Sequence, residues 1–117
     1  MTDIKPSAAF SLQSARPPTQ IRFNRPELDR ILSVYGKMVA LGECRDYAIG
    51  SFSDYAVFAM HRRTSEAPTW TVEKRPELAR RQGQYAVVNG TGQILKRGHE
   101  LEQVLKVFDK KKFGLVE

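Results

Sequence analysis

Tyr85-Ala86-Val87-Val88-Asn89-Gly90-Thr91-Gly92-Gln93-Ile94-Leu95-Lys96 is the stretch that decides the fold. Tyr85 to Val88 reads as a strand, Asn89-Gly90-Thr91-Gly92 supplies tight-turn residues, and Gln93 to Lys96 reads as the returning strand. So short a loop joins its strands antiparallel, because parallel neighbours need a crossover of a dozen or more residues. Gly98 then breaks the returning strand.

Upstream, the same period of two recurs. Trp70 and Val72 alternate with Thr71 and Glu73 and predict a strand that Pro76 ends, since proline cannot donate to a ladder. Pro76 to Arg81 has room for one helical turn before Gly83. Tyr55 to Arg63 is apolar on both sides as far as His61, which predicts a central strand covered on both faces. Tyr47 and Ile49 alternate with Asp46 and Ala48, and Gly50-Ser51-Phe52-Ser53-Asp54 carries turn chemistry. Ile21 and Phe23 alternate with Gln20 and Arg22, predicting one more short strand.

Helices flank this array. Asn24 followed by Glu27 three positions later is a capping box, with Pro26 in the first turn where its missing N–H costs nothing. Leu28, Ile31, Leu32, Tyr35, Met38 and Val39 fall on one helical face, and Gly42 is a natural stop. A second helix is predicted from Leu101, Val104, Leu105 and Phe108, with Lys110, Lys111 and Lys112 complementing its C-terminal dipole. The fold class is therefore α+β: an antiparallel five- to six-stranded meander sheet with two amphipathic helices packed on one face. Residues 1–19, with Pro6, Pro17 and Pro18 and no apolar period, read as a disordered N-terminal arm. Residues 20–112 read as a single α+β domain and residues 113–117 as a short tail. The tetrapeptide Arg-Pro-Glu-Leu occurs at 25–28 and 75–78 with unlike flanks, so it is a shared helix-start signal and not a repeat.

The 117 residues are 41% hydrophobic and carry a net charge of +6. Such a composition fits one globular domain and excludes wholesale disorder. No apolar run approaches a membrane span or a secretory signal, and one cysteine permits neither an internal disulfide nor a multi-cysteine metal site. These features predict a cytoplasmic protein. The surplus charge is uneven: residues 26–60 hold three bases and five acids, whereas residues 61–100 hold eight bases and four acids. Within that basic half stand the doublets Arg62-Arg63, Lys74-Arg75, Arg80-Arg81 and Lys96-Arg97. Alternate connections of a meander lie at the same end of the sheet, so Lys74, Arg75, Arg80, Arg81, Lys96 and Arg97 should meet at one end and Arg62-Arg63 at the other. Gly98-His99 and the free N–H groups of the second helix would join the first group, making His99 a seventh candidate contact for an anion. Solvated strand ends and ion pairs with Glu73, Glu77 and Glu100 explain the same residues without a ligand.

Catalytic chemistry finds little support. His61 and His99 stand apart with no ligand spacing around them, and Cys44 reads as a small buried hydrophobe. Glu73-Lys74-Arg75 lacks the Glu-x-Lys spacing of a metal-dependent nuclease, and no phosphate loop, Ser-His-Asp order or zinc motif is present. No cofactor or metal is expected. Tyr47, Tyr55, Phe58, Trp70 and Tyr85 have the chemistry to stack bases, but a core this small needs most of them.

Several segments together resemble an alphaproteobacterial family of small proteins with a domain of unknown function. They are Gly42-Glu43 with Arg45-Asp46-Tyr47-Ala48-Ile49, Ala56-Val57-Phe58 leading to Arg62-Arg63, and Glu66-Ala67-Pro68. Val72-Glu73-Lys74, Gln82-Gly83-Gln84-Tyr85 and Ile94-Leu95-Lys96-Arg97-Gly98-His99 continue the pattern. The resemblance covers about Arg22 to Phe108 and implies a single cytoplasmic domain; the family pattern more often has an aromatic residue where this chain has Cys44. No activity and no catalytic residue come with it. The expectation is a non-catalytic binding module whose basic end holds nucleic acid, a phosphate or an acidic protein. The competing expectation is a structural or protein-interaction adaptor, with a homodimer possible through an open edge or uncovered face of the sheet.

Overall fold

A computed structural model describes residues 19–64 and 66–112, with side chains through Asp109. The expected arm at residues 1–19, Thr19 apart, and the tail at 113–117 lie outside these residues, as do the side chains of Lys110, Lys111 and Lys112.

Helix α1 spans Arg25–Ala40 and starts at the predicted box: Asn24 N donates to Glu27 Oε1 at 2.7 Å and Glu27 N to Asn24 Oδ1 at 2.9 Å. Two of the four orphan donors at a helix start are thereby satisfied. Gly42, at φ 78°, ends it, its N–H reaching Val39 O. Five strands follow: β1 (Asp46–Ser51), β2 (Ala56–His61), β3 (Trp70–Lys74), β4 (Tyr85–Asn89) and β5 (Ile94–Gly98). They pair antiparallel in the order β1-β2-β3-β4-β5, the predicted meander. A short 3-10 turn, Pro76–Leu78, occupies the β3–β4 connection.

Register sorts the side chains by face. Ile49, Phe58, Val72, Val87 and Lys96 stand in one cross-strand row, and Tyr47, Met60, Trp70 and Asn89 in the next. This is the helix-bearing face. Phe58, Met60, Val72 and Val87 are fully buried there against Ile31, Met38, Leu101, Val104 and Phe108. Each such side chain contributes about 1.5–3 kcal/mol of transfer free energy. Phe58, Trp70 and Tyr85 are core, while Tyr47 stacks on Phe58 at 4.9 Å from the β1 edge and stays 42% exposed.

Three sequence expectations need correction. Gln20 to Phe23 is not a strand: the segment leads directly into the α1 cap at Asn24, and a single ladder-like bond to the described residues joins it to the sheet, from Ile21 N to Phe52 O at 2.7 Å. Strand β2 is covered on one face only: Ala56, Phe58 and Met60 are buried while Val57, Ala59 and His61 are half-buried. No described helix lies over that second face, which mixes small residues such as Ala48, Ala59 and Ala86 with Thr71, Glu73 and Arg97. The second helix is interrupted at Lys106, giving α2 (Leu101–Leu105) and α3 (Val107–Lys112). Tight bonds from Lys106 N to Gln103 O and from Asp109 N to Lys106 O mark the break. Leu101, Val104, Leu105 and Phe108 still share the buried side, with Phe108 edge-on to Trp70 at 5.8 Å.

The two sheet edges differ. β5 carries Lys96 and Arg97 and meets β4 through a register shift at Val87/Val88, devices that blunt an edge. No described strand pairs with the outer side of β1, whose only charge is Asp46.

Candidate anion-binding site

Lys74, Tyr85 and Gly98 lie side by side at the same end of β3, β4 and β5, so the meander does bring the three predicted doublets to one end. The structure then divides them. Lys74 ends β3 on the helix-bearing face and turns inward: its Nζ donates to Glu27 Oε1 at 2.8 Å and to Arg22 O at 2.9 Å. The Tyr85 hydroxyl donates to the other oxygen, Glu27 Oε2. Glu27 is only 7% exposed, yet with the Asn24 amide it has partners on both oxygens. Burial alone would push its carboxyl up; the Lys74 ammonium, the Tyr85 hydroxyl and the Asn24 amide outweigh that and hold it below the usual carboxylate range. The same burial, with the Glu27 hydrogen bond and charge, pushes the Tyr85 hydroxyl up. Lys74 is therefore a pin between α1 and the sheet.

Arg75 is also committed. On the opposite face its Nε meets Glu73 Oε1 at 3.1 Å, and its guanidinium lies 4.2 Å over the Tyr55 ring, which stacks on Phe52.

Of the remaining bases, Arg80, Arg81 and Lys96 are exposed and Arg97 is half-buried. Arg80 and Arg81 are exposed in the turn after Pro76–Leu78. Gly83, at φ 104°, folds that turn onto the end of β5: a Cβ built on it would come within 2.7 Å of Gly98 Cα and nearer still to the Gly98 carbonyl. Arg97 Nη1 donates to Gly83 O at 3.2 Å, fastening the turn from the other side. Lys96 projects on the helix-bearing face and Arg97 on the opposite one, so the end is basic on both flanks. No described carboxylate lies within ion-pair distance of Arg80, Arg81, Lys96 or Arg97. His99 is exposed and helps line a cleft of about 260 Å³ with Glu27, Tyr85 and Arg30. The N-terminal dipole expected beside it is small, because α2 runs only five residues.

Sequence reading placed Glu27 in a cap and Tyr85 in the core, and missed their joint role in capturing Lys74. The only signal was a glutamate in the first turn; its partner lies 47 residues away.

Other chemistry is sparse. His61 Nδ1 sits 3.0 Å from Glu66 O, and no described group of three or more His, Cys, Asp or Glu could hold a metal ion. Cys44 is buried, and burial together with the Glu43 charge pushes its thiol up to about 11. No described helix is long and apolar enough to cross a membrane.

Against known families, one model of a protein of unknown function matches residues 21–105. The chain belongs to the DUF2794 family. The DUF2794 match runs from Ile21 through α1 and all five strands to the last residue of α2, so it includes every residue of the basic end. No curated protein and no solved structure matches the chain.

Proposed function

We propose that this DUF2794 protein is a non-catalytic binding module that holds an anionic partner, foremost the phosphates of nucleic acid, at the basic end of the sheet. One observation carries the reading. Arg80, Arg81, Lys96 and Arg97 gather at one end without a described carboxylate to neutralise them, while Lys74 and Arg75 are satisfied internally. Arg80, Arg81, Lys96 and Arg97 make the direct contacts, His99 flanks them, and Lys74 and Arg75 hold the end in shape. A cytoplasmic, alphaproteobacterial setting belongs to the same proposal, supported by the family resemblance and by a lone buried cysteine.

Mixed-sequence RNA and DNA titrated at rising salt test it. Each phosphate neutralised by one of these bases contributes about −0.7 to −0.9 to the slope of log K against log salt. Lys96→Glu with Arg97→Glu should reduce binding by at least tenfold in a protein that still unfolds cooperatively. Undiminished binding by that variant, or no binding at low salt, would overturn the site.

An adaptor role is the second reading, favoured by a β1 edge with which no described strand pairs and by Tyr47 and Ile49, nearly half exposed. It requires a molecular mass that rises with concentration, which light scattering measures directly.

A further inference from the structure

At the opposite end of the sheet, the stop of α1, the start of β1 and the end of β2 enclose a second polar cleft. It measures about 640 Å³ and is lined by Gly42, Arg45, Arg62, Arg63 and Thr64. Among the described residues that line it, three are arginines and none is an acid. The backbone that sets them is firm. Arg45 N donates to His61 O at 2.8 Å, extending the β1–β2 ladder by one bond, and Arg62 N donates to Thr69 Oγ1 at 3.2 Å.

Three acids adjoin these arginines without being among the described residues that line the cleft. Glu43 Oε1 takes Arg62 Nη2 at 2.9 Å, Glu66 Oε2 reaches Arg63 Nε only at 4.0 Å, and Asp46 Oδ1 accepts from Tyr47 N at 2.8 Å. Arg45 has no described carboxylate in ion-pair range. Arg62 is held from two sides, by Glu43 and by the Trp70 ring 5.7 Å from its guanidinium carbon, so little ordering remains to be done when a ligand arrives.

Clustered guanidinium groups repel one another, and a concave wall concentrates their field. Rigid N–H forks match the oxygens of a phosphate group, and one compact dianion satisfies several forks at once. The cleft volume falls within the range of small-molecule sites, about 300–1,000 Å³. Trp70 is 3% exposed and so offers no ring face for a base to stack on; recognition rests on the phosphate. We propose that the Arg45–Arg62–Arg63 cleft binds a phosphomonoester group, at a site separate from the basic end and independent of its role.

The chain's single tryptophan lies beneath Arg62, so intrinsic fluorescence reports on the site. Inorganic phosphate, adenosine monophosphate and a dinucleotide with or without a 5′-phosphate are titrated into the full chain, with calorimetry alongside. Saturable binding of the phosphorylated probes is expected, and it should weaken as pH falls through about 6 and the dianion takes up a proton. Binding by inorganic phosphate alone would identify the free ion as the ligand; tighter binding by the monophosphate or the 5′-phosphorylated dinucleotide would identify an esterified one. Arg45→Ala with Arg63→Ala, both on exposed side chains, should weaken binding about tenfold or more. Lys96→Glu with Arg97→Glu should leave it unchanged. No saturation at millimolar ligand, equal binding by the Arg45/Arg63 variant, or loss caused by the Lys96/Arg97 variant alone would overturn the proposal.

Discussion

The Lys74 ammonium lies 2.8 Å from the Glu27 carboxylate, a contact that joins α1 to the last residue of β3 across 47 positions of sequence. Both side chains are mostly buried, at 14% and 10% exposure, so removing one partner strands a charge in a poorly hydrated place. Lys74→Met should destabilise the protein by about 3–5 kcal/mol, and pairing it with Glu27→Gln should recover part of the loss. Urea unfolding of the two single variants and the double variant measures the coupling. A Lys74→Met variant as stable as the parent would refute the pin.

Acid should loosen the same contact. Glu27 has a folded pKa below its unfolded value of about 4.3, so its contribution is fully present above that pH. That contribution is lost as pH falls through the folded value. Tyr85 behaves in the opposite sense: its raised folded value gives a contribution that is complete below about 10 and lost as pH rises beyond it. Unfolding free energy followed from pH 6 to 2.5 should drop more steeply for the parent than for Glu27→Gln. Parallel curves would remove Glu27 from the account.

Gly83 and Gly92 both have positive φ but differ in surroundings. Nothing lies within 4 Å of a Cβ at Gly92, so Gly92→Ala should cost only the left-handed backbone term, about 1–2 kcal/mol. Gly83→Ala adds a backbone collision with Gly98 and should cost clearly more. It should also weaken anion binding, because the Arg80-Arg81 turn can no longer rest against Arg97. Thermal melts order the two variants, and equal melting temperatures would contradict the close approach.

Cys44 should be chemically quiet. With its thiol at about 11 and the side chain buried, almost no thiolate exists at pH 7. A disulfide reagent should react at the rate of unfolding in native buffer and rapidly in strong denaturant. Fast native reaction would show that the residue is reachable and ionised.

What the sequence discloses and what it conceals divide along a physical line. The Asn24–Glu27 cap, the Gly42 stop and the Asn89-Gly90-Thr91-Gly92 turn are written within a few residues, and each is found where it was read. Asn89 even organises that turn through its side-chain oxygen Oδ1, which accepts from Thr91 N and Gln93 N. Meander geometry then carries the basic doublets to their ends without further information. Three-dimensional pairing escapes this logic. Lys74 and Arg97 look alike in sequence, yet one meets a buried carboxylate and the other a backbone carbonyl. The break at Lys106 likewise follows no glycine or proline, so nothing local announces it. Arg45 carries no local signal of a site, because its neighbours Arg62 and Arg63 arrive only through the β1–β2 register.

The unlike edges of the sheet bear on how copies of this chain can meet. A bulge and two cations guard β5, whereas β1 offers uncharged backbone from Tyr47 to Ser51. Among the described residues, strand addition therefore has one open edge available. Two molecules joined β1 to β1 would each present a guarded edge outward, and the sheet would stop at ten strands. Such a geometry would limit association to pairs and deny the endless stacking that a sheet with two open edges invites.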